Sequence, residues 1–218
     1  MGIPIIVCSV TKKCLAVMRV SVAAYSDSIV HVWPPSGNSF GESYNEAMIA
    51  AFKQHDEIII SNDDVVLTPN TMNILLEDVE KAKNIYGDMV GFVATMTDNC
   101  RQTQSIRFPQ YQGDRQIFGK WESEGFMREM RVISPIFAWI SKKAFEAAKF
   151  PPLNWYSDDV MCEDLNRLGF HHFVSRAYVH HVGSQTVGTD YNRLNDEAMP
   201  WLRANRPEYV QQWFGKTA

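Results

Sequence analysis

The apolar positions change period along the chain, and each change marks an element. Residues 3–10 form a short, mostly apolar run that reads as a buried strand. Thr11 then stands where a helix cap belongs, and Leu15, Met18, Val22 and Tyr25 recur behind it at a helical period. A second short strand covers residues 29–33 and stops at Pro34-Pro35, and residues 43–53 are helical in character. Glu57–Ser61 reads as a strand, and Thr68-Pro69 supplies a helix start with proline at the first helical position. In that helix Met72, Leu75, Leu76 and Val79 are expected to face inward, and Glu77, Asp78, Glu80 and Lys81 to face water.

Strand and helix thus alternate four times in about ninety residues, which predicts an α/β fold with a mixed, mainly parallel sheet flanked by helices. Further strands are expected at 89–95 and 131–141, and Ser141 caps a helix over 142–149. Ser157 caps another helix, which ends at Gly169. Two short strands follow at 171–175 and 177–182. Residues 98–131 are polar, aromatic and without period, as binding loops and lids are. Arg101, Arg107, Tyr111, Arg115, Trp121 and Phe126 fall in this stretch and suit phosphate or sugar contacts. The expected division is one domain over residues 1–190, with 191–218 as a helical, aromatic tail packed on it.

Composition narrows the function. The 218 residues are 45% hydrophobic and 21% charged, enough for a sizeable core in one domain. A net charge of -4 gives no field that attracts nucleic acid, so none is expected as a partner. Cys8, Cys14, Cys100 and Cys162 show no paired spacing, which suits free thiols in a reducing cytosol. No run approaches the ~20 apolar residues of a transmembrane segment, and the first apolar run lacks the features of a signal peptide. A soluble, cytoplasmic protein is the expectation.

Three constellations carry chemistry. Ser61-Asn62-Asp63-Asp64 directly follows an apolar strand, where ligands collect in open α/β sheets, and carboxylates there are hard ligands for Mg²⁺ or Mn²⁺. The same residues also make an ordinary polar turn. Tyr156-Ser157-Asp158-Asp159 puts two carboxylates in a first helical turn, where the helix dipole favours their ionised form. Such a carboxylate can act as a general base, although acidic residues gather in first turns for stability alone. In Tyr178-Val179-His180-His181, adjacent strand side chains point to opposite faces, so both histidines cannot address one metal on a regular strand.

Taken in order, these stretches resemble the family 2-like GT-A glycosyltransferases. Asn38-Ser39-Phe40-Gly41 and Asn45 are similar to that family's N-x-x-G … N stretch, and residues 58–69 to its strand, DXD-type motif and Thr-Pro helix start. Ser157-Asp158-Asp159 falls where the family carries its acidic pair. Residues 178–186 resemble its late His motif, and 206–214 the Trp-containing terminal segments of some members. The departures are Asn62 at the first DXD position, Ser-Asp-Asp in place of Glu-Asp, Trp33-Pro34-Pro35-Ser36 where an Asp-rich turn is usual, and residues 151–155 in place of a Gly-rich segment.

The resemblance implies a UDP-, GDP- or dTDP-sugar donor held by Thr11, Asn38, Asn45, Asn62 and Asp63, and a glycan, lipid or other hydroxyl acceptor beside Trp155 and Tyr156. It implies Mn²⁺ or Mg²⁺ on Asp64 and on His180 or His181, with His180 favoured by register. It implies Asp158 or Asp159 as the base of an inverting transfer, with Asp158 favoured. Two other readings stand beside it. Asp158, Asp159, Glu163 and the four histidines His171, His172, His180 and His181 also suit a metal-dependent hydrolase, and Asn62 and Ser157 suit a nucleotide- or sugar-binding protein without turnover.

Overall fold

A computed structural model of the chain describes residues 2–35, 39–106, 109–112, 115–118, 127–183 and 190–215. Its first half runs β1 (Ile5–Cys8), α1 (Lys12–Tyr25), β2 (Val30–Trp33), α2 (Phe40–Ala51), β3 (Glu57–Ser61), β4 (Val65–Leu67), α3 (Thr71–Tyr86) and β5 (Val90–Thr97). The second half holds β6 (Pro109–Gln112), β7 (Arg115–Phe118), β8 (Arg128–Met130), β9 (Phe137–Ser141), α4 (Lys142–Ala147), α5 (Ser157–Arg167), β10 (His171–His181), α6 (Tyr191–Asn205) and α7 (Pro207–Phe214).

The main sheet has the order β2-β1-β3-β9-β5-β10-β4, with β8 also paired to β10. Strands β2, β1, β3, β5 and β10 run one way, and β9, β4 and β8 run against them. The sheet is therefore mixed and partly parallel. Alternate residues of each strand feed cores on its two faces. Ile6, Ile58, Ile60, Phe92 and Ala94 pack with α2, α4 and α5, whereas Ile5, Val7, Ile59 and Val93 pack with α1 and α3. Strands buried on both faces explain the unbroken apolar runs in the sequence. On the outer side of α5, Val160 packs with Ala198 and Leu202 of α6 and Tyr209 of α7.

Several local expectations change. Thr68-Pro69 precedes rather than starts α3, because the Thr71 hydroxyl is drawn to the Tyr178 carbonyl at 2.6 Å and the helix opens there, behind Asn70. Asp78 is buried rather than solvated, forked by Arg176 at 2.7 and 2.9 Å. Tyr25 lies 44% exposed at the end of α1 rather than facing inward. Residues 171–181 form one strand, irregular in its pairing with β5 between Val174 and Tyr178, where two separate strands are expected from the sequence. The strand expected at 131–141 begins only at Phe137. Within the expected lid, Pro109–Gln112 and Arg115–Phe118 pair as a hairpin and Arg128–Met130 joins the sheet. Arg107, Trp121 and Phe126, and the side chains of Tyr111 and Arg115, lie outside what is described.

Candidate active site

Strands β1, β3, β5 and β10 are parallel, so their carboxyl ends meet at one edge of the sheet. The turn after each of β1, β3 and β5, together with the end of β10, supplies the site.

Asp63 follows β3 and is 3% exposed. Its Oδ2 accepts from the Ser9 hydroxyl at 2.9 Å, the Val10 and Thr11 N–H groups at 2.9 and 2.7 Å, and the Thr11 hydroxyl at 2.9 Å. Thr11 does stand at the N-cap position of α1, but its hydroxyl turns to Asp63 instead of capping the helix. One oxygen thus ties the turn after β1 to the turn after β3. Asn45 holds the loop after α4, donating to the Phe150 carbonyl at 2.8 Å and accepting from its N–H at 3.1 Å. Asn38 lies outside the described residues.

Asp64 and His181 meet. Asp64 Oδ1 lies 3.2 Å from His181 Nε2, and Asp64 Oδ2 accepts from the Gly183 N–H at 2.9 Å. Burial opposes the Asp64 charge, but the bonds from His181 and Gly183 outweigh it and hold the carboxyl below its usual range. Burial likewise opposes charge on His181, but Asp64 outweighs it and raises that ring's pKa. His181 Nδ1 faces the Asn99 carbonyl at 2.5 Å, and Asn62 Nδ2 lies 3.3 Å from Nε2. The Nδ1 contact to a carbonyl is the kind of bond that orients a metal-binding histidine, while Nε2 is here paired with the Asp64 carboxylate. The register reading favours His180 beside Asp64; the structure puts His181 there. His180 points to the other face, 47% exposed, with Nδ1 2.6 Å from Asp98. Among the described residues no three His, Cys, Asp or Glu side chains converge as a metal cage, so Asp64 and His181 stand as a pair.

The acidic pair sits at the start of α5. Ser157 is the first residue of that helix and not its cap, because its hydroxyl donates to the Pro151 carbonyl at 3.0 Å. The cap position is taken by Tyr156 at φ 64, the one left-handed non-glycine among the described residues. Such a backbone costs of order 1–3 kcal/mol and persists where its surroundings enforce it. Here Tyr156 donates to Asn195 at 2.7 Å and stacks on Trp213 at 5.8 Å, while Trp155 lies 5.7 Å from Tyr191. Both aromatics expected at the acceptor therefore pack against the terminal helices.

Arg101, expected in a lid, spans both carboxylates. One guanidinium nitrogen reaches Asp158 at 3.0 Å, another Asp159 at 3.2 Å, and Nε donates to Ser134 at 2.8 Å. Burial first, then the Asp158 charge, pushes the Asp159 carboxyl up to about 7 against the pull of Arg101. Asp98 and Asn99 reach the candidate site without being singled out in the sequence, and Arg101 reaches the acidic pair rather than the phosphate or sugar expected of it. Their signal is place: they follow an apolar strand just as Asp63 and Asp64 do. The histidines of the hydrolase reading do not gather. His172 is buried with Nδ1 accepting from the Phe92 N–H at 3.0 Å and Nε2 facing the Cys162 carbonyl at 3.1 Å, and His171 pairs with Glu129 at the opposite end of β10.

No family profile matches the chain, and no curated protein matches it in sequence. Solved structures do. S. aureus TarS 1-349 in complex with UDP-GlcNAc is similar at a TM-score of 0.52 and 13% identity, over 83% of this chain and 58% of that one. GalNAc-T7 with UDP, GalNAc and Mn²⁺ is similar at a TM-score of 0.58 and 12% identity, over 98% of this chain and 52% of that one. The chain thus spans a little over half the length of each of these two. No helix among the described residues is long and apolar enough to cross a membrane. The chain has the α/β fold of the GT-A glycosyltransferases.

Proposed function

We propose that the chain is a metal-dependent glycosyltransferase that moves a sugar from a nucleoside-diphosphate sugar to an acceptor hydroxyl with inversion. The observation that carries this reading is the meeting of the Asp64–His181 pair and the Asp158–Asp159 pair through one turn, Asp98 to Arg101. Asp64 and His181 are the residues that would hold the ion: both are fixed by other bonds, the carboxylate suits Mg²⁺ or Mn²⁺, and the imidazole, a transition-metal donor, favours Mn²⁺ of the two. When bound, the ion would supply positive charge against the diphosphate as it leaves. Thr11, Asn62 and the turn that Asp63 anchors would hold the nucleotide, a reading supported by their place at the carboxyl ends of parallel strands.

The transfer needs one base. The acceptor oxygen forms its bond to the anomeric carbon as the bond from that carbon to the diphosphate oxygen breaks. The leaving group keeps the electron pair, and a carboxylate of the acidic pair takes the acceptor's proton. One displacement inverts the centre. UDP-sugars are the first donors to try, because the similar TarS structure holds UDP-GlcNAc and the GalNAc-T7 structure holds UDP. Thermal-shift measurements with UDP-, GDP- and dTDP-sugars, each with and without Mn²⁺, test the reading. A ligand that binds only the folded state raises the melting temperature, and the rise is expected only with metal for at least one donor. No rise with any donor would count against it.

A further inference from the structure

Two carboxylates on adjacent residues at a helix start present an electrostatic difficulty. Like charges this close do not both ionise freely, so one carboxyl of the pair tends to keep its proton and is then no acceptor for another. Arg101 meets this difficulty directly. Its fork reaches Asp158 at 3.0 Å and Asp159 at 3.2 Å, so one positive charge is set against two negative ones. The clamp leaves the pair with a single uncompensated charge.

Arg101 is itself fixed. Nε donates to Ser134 at 2.8 Å, and Ser134 is held by Gln104, which accepts from its N–H at 2.9 Å and donates to its carbonyl at 2.9 Å. Two residues earlier the same strap meets the other half of the site: the Asn99 carbonyl faces His181 Nδ1, and Asp98 accepts from the His181 N–H at 2.8 Å. Ser105 pairs back to Thr97, which closes the strap on the end of β5. A segment of four residues therefore contacts both pairs.

We propose, resting on the glycosyltransferase reading above, that Arg101 is the positioning residue of the acidic pair: it offsets one of the two negative charges and holds the pair at a fixed place relative to Asp64 and His181, so that one carboxylate stays free to accept a proton. Among the described residues, the charges facing Asp159 are Asp158 on its own helix and Arg101 from the strap. The nearby Tyr156 hydroxyl and Cys162 thiol are both pushed upward, chiefly by burial, and are neutral at neutral pH. Removing the guanidinium leaves two unscreened carboxylates, and the pair then retains a proton to higher pH.

Two variants and two readouts test this. Arg101→Met keeps the stem without the charge, and Arg101→Lys keeps the charge without the fork. The first readout is the Asp159 carboxyl titration followed by ¹³C NMR, which needs no turnover. Its midpoint is expected to rise by at least about one unit in Arg101→Met and by less in Arg101→Lys. The second is the pH dependence of kcat, whose acidic limb should move up with the NMR midpoint, a loss of about fivefold or more at neutral pH with donor affinity unchanged. A folded Arg101→Met with the wild-type midpoint and limb would overturn the proposal. If Arg101→Met does not fold, Arg101→Lys decides: a rise supports the proposal and an unchanged midpoint overturns it. A shifted midpoint in a protein that turns over no donor supports the clamp and counts against the glycosyltransferase reading.

Discussion

Gly41 of α2 packs tightly against Pro151 and Ser157 at the entry to α5, and replacing it with alanine tests how the acidic pair is held. A Cβ at residue 41 would lie 1.9 Å from the Pro151 carbonyl oxygen and 2.6 Å from the Ser157 hydroxyl, where ordinary contacts begin near 3.4 Å. The first of these neighbours is backbone, so no side-chain rotation relieves it. The loop must retreat by more than an ångström, which strains the bond from the Gly41 N–H to the Leu153 carbonyl at 3.1 Å and that from the Phe40 N–H to Asn154 at 2.9 Å. Overpacking of this kind costs about 1–3 kcal/mol, and each weakened hydrogen bond adds roughly 0.5–1.5. A loss near 3 kcal/mol is expected, lowering the melting temperature by roughly 6–12 °C for a chain of this size. Urea unfolding at constant m-value measures it, with Gly87→Ala as the comparison. Gly87 has φ 57 and ψ -132, a region nearly reserved for glycine, but nothing within 4 Å of the added carbon, so only backbone strain acts there, of order 1–3 kcal/mol. A Gly41→Ala variant within about 0.5 kcal/mol of wild type would refute the packing argument.

Other outcomes follow from the same geometry. Asp64→Ala should abolish metal-dependent nucleotide binding and leave the fold intact, as read by calorimetry and circular dichroism. His181→Ala should weaken Mn²⁺ binding far more than His180→Ala, and equal losses would contradict the alternation of β10 seen at that end. Replacing the base of the acidic pair by Asn should lower kcat by about 10²–10⁴-fold with donor affinity nearly unchanged; Asp158→Asn is expected to be that variant, and Asp159→Asn as the inactive one would move the base to Asp159. His172 is buried, and burial chiefly lowers its pKa to about 4 from 6.5, so the unfolded chain takes up this proton first as pH falls. The His172 contribution is complete above pH 6.5 and is lost as pH falls toward 4, by about 3 kcal/mol at most. Asp159, whose raised pKa stabilises the fold in the opposite direction over much of the same range, makes the difference between wild type and His172→Gln the quantity to plot. A difference that does not change between pH 7 and 4.5 would refute the assignment.

The elements were legible where burial on both faces forces apolar runs. Ile58, Ile59 and Ile60 announce β3, and the core positions Met18 and Val22 announce α1. Boundaries were less legible where a distant partner decides them: the Tyr178 carbonyl moves the start of α3 to Thr71, and the Pro151 carbonyl takes the hydroxyl of Ser157. Asp78 looks solvated from helical period because Arg176, ninety-eight residues on, is invisible to that period. In the site, alternation correctly separates His180 from His181, but which of them faces Asp64 depends on pairing with β4, where Val65 lies opposite His181. Arg101 reads as a loop cation until the fold brings α5 against the end of β5.

The central claim is tested most directly by measuring nucleoside diphosphate released from UDP-, GDP- and dTDP-sugars with Mn²⁺, with and without a panel of hydroxyl acceptors. The account predicts release from at least one donor, faster with an acceptor, lost on adding EDTA and lost in Asp64→Ala. Release undiminished by EDTA, or none from any donor with any acceptor, would contradict it.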